Sequence, residues 1–314
     1  MLSGSDDPRR SAVGEEQEAE SAKVHIGSDI VTASDMYLDF FGLTERPFSL
    51  VPDPDFLFWS DRHRAAFAIL EYGIVTRSPI TVLTGEIGVG KTTLLQHMLH
   101  VIEENTTVGL ISNAQGGRGE LARWVLNALS VKVERGADYV DMYQALQDHL
   151  VDEYTEGRRV ALVIDEAQNL SVEALEELRL MTNINSGKDE LLQLILVGQP
   201  ELRSRIMRPE LQQFAQRVVA AYHLGALSAE ATADYICHRI RHAGGNDVVF
   251  KPEALVEIHR HTGGIPRLIN KLAEFCLVYG ALSEESPISA ETVRQVVGDG
   301  VFITGFGAGE RVAE

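Results

Sequence analysis

Gly85-Glu86-Ile87-Gly88-Val89-Gly90-Lys91-Thr92 sets two glycines, with four residues between them, directly before Lys-Thr, the pattern of a loop that cradles phosphate groups. Its flanks supply the required context. Ile80-Thr81-Val82-Leu83-Thr84 is β-branched and apolar enough for a buried strand, and in residues 93–103 Leu94, Leu95, Met98, Leu99 and Ile102 keep helical spacing. Glycines let the backbone turn its N–H groups inward, and the helix that follows presents its positive end to an anion. On this reading Gly85, Glu86, Gly88, Val89, Gly90, Lys91, Thr92 and Thr93 surround a polyphosphate. Lys91 reaches its β- and γ-phosphates, and the Thr92 hydroxyl sits on Mg²⁺.

A chain of 314 residues with 45% hydrophobic composition can bury a real core, in one large domain or two smaller ones. The formal charge of −18 gives no global positive field for nucleic acid, so any contact with DNA needs a local basic patch. Cys237 and Cys276 lie inside apolar-periodic stretches, as small hydrophobes of a reduced protein do. No run approaches the roughly 18 apolar residues of a membrane span, and the N-terminus carries acids where a secretory signal is basic and then apolar. A cytoplasmic protein without direct membrane insertion is expected.

Residues 1–35 hold eight acids against Arg9, Arg10 and Lys23, which predicts a disordered acidic tail. From Met36 aromatics crowd around prolines (Tyr37, Phe40, Phe41, Phe48, Phe56, Phe58, Trp59), which predicts an ordered lead-in to a helix over 61–72. Strands are expected at 80–84, 108–111, 160–164, 191–197 and 218–224, with helices between them, giving an α/β three-layer sandwich around a five-stranded parallel sheet. From Ser228 the strands stop. Four helical patterns (228–242, 252–261, 266–279 and 289–297) make a small helical domain, with Ser228 and Ser289 as N-caps. The expected units are thus 36–226, 227–298 and a glycine-rich tail, 299–314.

Asp165-Glu166 follows the apolar run Val160-Ala161-Leu162-Val163-Ile164, at the strand end that faces the ligand crevice of an open α/β sheet. Asp165 is placed to hold a magnesium-bound water near Thr92. Glu166 can polarise a water attacking a γ-phosphate, which favours hydrolysis over transfer to an acceptor. The competing assignment, two acids that merely cap the helix at Ser171, leaves the phosphate loop without a use. Adenine is favoured over guanine, because Asn270-Lys271 continues into Leu272-Ala273 inside a helix instead of reaching an Asp after a strand. Phe48, Phe56, Phe58 and Trp59 could face an adenine or simply pack a core. His238 and His242 share a helix face but have no further ligand at metal spacing.

The sheet motifs joined to a four-helix domain containing Gly263-Gly264-Ile265-Pro266-Arg267 resemble the AAA+ ATPases, P-loop NTPases whose helical domain is a lid. Phe41-Gly42-Leu43, Pro47-Phe48, Pro52-Asp53-Pro54, Asp165-Glu166-Ala167-Gln168, Val197-Gly198-Gln199-Pro200-Glu201-Leu202 and Gln216-Arg217 are similar to the ExeA/GspA group. That group serves type II secretion, has relatives in exosortase and exopolysaccharide loci, and is similar to the MuB and TniB transposition ATPases. The resemblance implies that Asn113 restrains the catalytic glutamate, that Gln199 is the polar sensor near the γ-phosphate, and that Arg267 binds that phosphate in cis. It implies that Arg217 reaches a neighbouring subunit's site, although Arg203, Arg205 and Arg208 lie close by.

The cofactors implied are ATP and Mg²⁺, and the partners are further copies of the chain, in a ring or filament with a hexamer among the forms. ExeA-type chains continue into a transmembrane helix and a periplasmic peptidoglycan-binding domain, whereas this sequence ends at Glu314, so only the cytoplasmic motor or switch is expected to carry over. A membrane-embedded secretion or export component would then recruit it to the inner-membrane face. The alternatives are an ATP-dependent transposition regulator on DNA, against which the acidic charge argues, and a non-catalytic nucleotide switch, against which Glu166 argues.

Overall fold

The computed structural model describes residues 33–51, 56–102, 105–112 and 120–303. The expected tails over 1–32 and from 304 onward lie outside them, as does Asn113. Five parallel strands form one sheet in the order β2-β3-β6-β1-β7. They are β1 (Ile80–Gly85), β2 (Thr106–Ile111), β3 (Arg159–Ile164), β6 (Leu192–Gly198) and β7 (Val218–Leu224), with a two-residue ladder of β4 (Asn185–Ser186) and β5 (Asp189–Glu190) before β6. The three inner strands are buried almost throughout, and the edge strands β2 and β7 are mixed. This explains why the inner strands read as continuous apolar runs.

Alternation along each strand feeds two separate cores. Ile80, Val82, Leu162, Ile164, Leu194 and Leu196 pack beneath α4 (Glu120–Ala128), α5 (Tyr139–Thr155) and α6 (Val172–Met181). Their neighbours Leu83, Val163, Ile195 and Val197 face α2 (Asp61–Val75) and α3 (Lys91–Val101) on the other side. The third layer is thereby fixed by period-2 patterning alone. After α7 (Pro200–Ile206) and α8 (Gln212–Ala215) lead into β7, the chain enters the helical unit, α9 (Ala229–His242), α10 (Pro252–Thr262), α11 (Pro266–Leu282) and α12 (Ala290–Gly298).

One placement departs from the expected 36–226 unit. The lead-in packs with the helical unit: Tyr37, Phe41, Leu43 and Phe48 are buried there, and Phe58 lies against the same core. Its first helix, α1 (Ala33–Phe41), begins inside the stretch expected to be tail. The reason is polar as well as apolar. Tyr37 Oη donates to Glu274 Oε1 of α11 at 2.9 Å, and Arg46 Nε donates to the same oxygen at 2.8 Å. Truncating a fully buried aromatic such as Phe48 costs roughly 3–5 kcal/mol, so the attachment is strong.

Trp59, in contrast, packs on Phe67 and His97 of the sheet unit, so the chain crosses between the two units at Phe58 and Trp59. It crosses back between Leu224 and Leu227, where Arg62 Nη1 donates to Ala226 O at 2.5 Å.

Candidate functional site

The glycines of the loop are there for close approach and left-handed backbone. A Cβ at Gly85 would stand 2.4 Å from Leu224 O of β7, and Gly88 and Gly90 have φ of 83° and 101°. Gly90 takes the N-cap position of α3 without any side-chain cap, so the first-turn N–H groups keep their capacity for an anion. Lys91 is buried. Its Nζ donates to Gly85 O at 2.8 Å and to Glu86 O at 3.0 Å, neutral carbonyls of its own loop, and burial lowers its pKa.

Against the loop stands His63 of α2, a residue that no motif or spacing singles out. Its Nε2 meets Val89 O at 3.2 Å and its Nδ1 meets Ser60 Oγ at 2.7 Å. Burial lowers its pKa, and a neutral ring facing a carbonyl must carry its proton on Nε2, so Ser60 Oγ donates to Nδ1. The Val89 carbonyl, and with it the shape of the loop, is thereby held from α2.

Strand β6 lies between β1 and β3, so the tip of β3 faces the loop across one strand. Thr92 Oγ1 donates to Asp165 Oδ2 at 3.1 Å, and burial raises the Asp165 pKa. Glu166 has left-handed backbone, φ 54° and ψ 35°, a strained state for a non-glycine residue. Its Oε2 accepts from Gln168 Nε2 at 2.5 Å and from Gln199 Nε2 at 3.3 Å. Gln199 N donates to Gln168 Oε1 at 3.0 Å, so the acid, Gln168 and the tip of β6 form one connected group.

A cleft of about 400 Å³ runs from the loop to the helical unit. Gly88, Gly90, Lys91, Thr92, Thr93, Glu166, Gln199 and Arg267 line it together. Gly85, Glu86, Val89 and Asp165 shape the loop and the strand tip beside it. Arg267, in the first turn of α11, also donates its main-chain N–H to Gly88 O at 3.1 Å. The opposite wall comes from the lead-in and α9, with Phe56, Phe58, Tyr235 and Arg239. Of the four aromatics considered for an adenine, Phe56 and Phe58 line the cleft, Phe48 is buried in the helical core, and Trp59 belongs to the sheet unit. His238 and His242 are covered by the rings of Phe58 and Phe56.

Arg217 stands apart. Val218 of β7 pairs with Ile80 and Leu224 with Gly85, so Arg217 sits a full strand length, roughly 20 Å, from the loop. Its Nη1 donates to Thr182 O at 3.0 Å and Thr182 Oγ1 at 3.1 Å, with Glu190 at 3.8 Å.

A phosphate loop on one strand and a carboxylate pair two strands away, beneath a four-helix unit that touches the loop, define an AAA domain. Residues 75–206 match the AAA domain family, and this segment belongs to it. Over 243 residues the chain is 38% identical to General secretion pathway protein A of Aeromonas hydrophila, an alignment that covers 77% of this chain and 44% of that protein. The chain spans less than half the length of that relative.

Among solved structures it is similar to the ORC2 protein of Aeropyrum pernix in its ADPNP-ADP complexes, with TM-score 0.57, 18% identity, and coverage of 76% of this chain and 67% of that one. It is also similar to Cdc6p from Pyrobaculum aerophilum, with TM-score 0.60, 16% identity, and coverage of 86% and 72%. These two likenesses bear on the fold. No helix among the described residues is long and apolar enough to cross a membrane.

Proposed function

We propose that the chain is a Mg²⁺-dependent ATPase that works as an oligomer to drive or regulate assembly of a secretion or exopolysaccharide-export complex. The carrying observation is the buried Lys91 ammonium, whose hydrogen-bond partners are two carbonyls of its own loop, beside uncapped helix N–H groups. The carboxylates of Glu166 and Asp165 act on this ammonium without a direct hydrogen bond to it, so its burial is offset only in part until an anion arrives. A polyphosphate in the cleft meets that need, with Lys91 and Arg267 on its terminal groups. Thr92 and Asp165 offer one hydroxyl and one carboxylate oxygen, a hard donor set that suits Mg²⁺ completed by phosphate and water. The metal would neutralise charge on the β- and γ-phosphates.

Glu166 accepts a proton from the attacking water as its oxygen bonds to the γ-phosphorus and the bridging oxygen leaves with ADP. Gln199 stands beside Glu166 as sensor, and Arg217 acts on a neighbouring copy. The tie to secretion rests on the likeness to General secretion pathway protein A, and a membrane-embedded partner would bring the chain to the inner-membrane face.

The test compares nucleotide affinity and phosphate release for the unaltered protein, Lys91→Ala and Glu166→Gln. Lys91→Ala is expected to lose binding and turnover together, and Glu166→Gln to bind ATP and not hydrolyse it. Undiminished turnover in Glu166→Gln removes Glu166 from the mechanism.

A further inference from the structure

We infer that Gln168 is a positioning residue for hydrolysis, which fixes the carboxylate of Glu166 against Gln199 so that one chosen oxygen meets the water. The inference rests on the reading of Glu166 as the base, and it begins with backbone geometry. Glu166 sits at φ 54° and ψ 35°, immediately before the short turn Ala167–Asn169. That reversal brings the side chain of residue 168 back beside the side chain of residue 166, where an extended strand would have carried it onward.

Both ends of the Gln168 carboxamide are used. Its nitrogen donates to Glu166 Oε2 at 2.5 Å, and its oxygen accepts the main-chain N–H of Gln199 at 3.0 Å. Gln199 closes the triangle with its own amide, 3.3 Å from the same Glu166 Oε2. Two amide donors therefore hold one carboxylate oxygen, and Oε1 is the oxygen left to take the proton. The neighbouring strand end makes room for this arrangement. A Cβ on Gly198 would stand 2.8 Å from Gln168 Oε1, so only glycine at the tip of β6 admits the carboxamide there. The main-chain bond also ties Gln199 to the acid, so a displacement of the β6 tip moves the acid with it.

The side chain of Gln168 is not among those lining the cleft, and its action runs through Glu166 and Gln199. Orientation of a reacting group is worth a large factor: a displacement of about 1 Å can cost around 10²-fold in rate.

Gln168→Glu and Gln168→Ala separate positioning from packing. The glutamate keeps the length and an oxygen for the Gln199 N–H but, when ionised, cannot donate to Glu166 and sets a second negative charge against it. Both variants are expected to lower kcat about 10²-fold while the Kd for ATP stays within threefold and the melting temperature of Gln168→Glu holds. Gln168→Ala combined with Gln199→Ala is expected to fall little below the worse single variant, because the two amides act as a unit. Gln168→Glu with wild-type kcat overturns the inference. So does a parallel loss of ATP affinity and melting temperature in Gln168→Glu, or a double variant whose loss is the product of the single losses. Glu166→Gln measured alongside distinguishes the two levels. If it turns over normally the catalytic reading itself fails, and if it is dead while Gln168→Glu is normal only the role of Gln168 fails.

Discussion

Arg267 and Gly88 meet across the cleft: the Arg267 main-chain N–H donates to the Gly88 carbonyl at 3.1 Å, and a Cβ placed on Gly88 would stand 2.6 Å from the Cβ of Arg267. The phosphate loop and the first turn of α11 are thus in direct contact. Gly88→Ala meets this clash and also a φ of 83°, so it is expected to weaken ATP binding at least tenfold and to lower the melting temperature by several degrees. Gly42→Ala is the control. That glycine has a φ of 66° with nothing within 4 Å of its Cβ, so only the cost of left-handed backbone, about 1–2 kcal/mol, applies. Equal ATP affinity in the two variants, measured by titration calorimetry, would refute the contact's importance.

Arg217, a strand length from its own loop, is predicted to act in trans. Arginine fingers contribute about 10³-fold or more to turnover in well-studied triphosphatases, so Arg217→Ala should bind ATP and scarcely hydrolyse it. Activity per subunit should rise with protein concentration. Mixing Arg217→Ala with Lys91→Ala should restore part of the activity, because a mixed ring pairs an intact loop with an intact arginine. A mixture that stays inactive while mass measurement finds mixed oligomers removes the trans role.

His63 carries a pH prediction. Burial holds its pKa below the ordinary 6.5, so the unfolded chain binds a proton that the folded one refuses. The stability contributed by the neutral ring is complete above pH 6.5 and is lost as pH falls through the lower folded value. His238 and His259 are shifted the same way by burial and add to the slope. The melting temperature should therefore drop between pH 7.5 and 5.5, and His63→Gln should flatten part of that drop. An unchanged slope in His63→Gln would assign the acid sensitivity to the other two.

The charge of −18 predicts weak or no DNA binding at physiological ionic strength. Duplex association that is tight, ATP-dependent and steeply weakened by salt would favour the transposition reading over the secretion one.

The strands and helices were legible because local periodicity decides them, and the phosphate loop fixed which strand end carries the site. Gln168 was visible only as the last letter of Asp165-Glu166-Ala167-Gln168, since nothing in the sequence reveals that Glu166 adopts left-handed backbone and folds residue 168 back. His63 gave no signal at all, because its contact with Val89 joins residues 26 apart. The lead-in aromatics read as a packed segment, but which core they entered depended on Glu274, more than two hundred residues away. Ser289 does stand at the N-cap of α12, yet its side chain makes no cap bond. Glu285 accepts its main-chain N–H at 3.0 Å instead.

The two chain crossings, at Phe58 and Trp59 and between Leu224 and Leu227, carry a mechanical consequence. A body tethered once can swivel in any direction, whereas one tethered twice turns about the line through its two tethers. Here the tethers are stitched together by the bond from Arg62 to the Ala226 carbonyl, which makes the axis short and well defined. Any tilt of α11 away from the loop is then a door on a single hinge. Because α1 is fastened to α11 through Tyr37 and Glu274, that helix swings with the door, as a handle on the outside would.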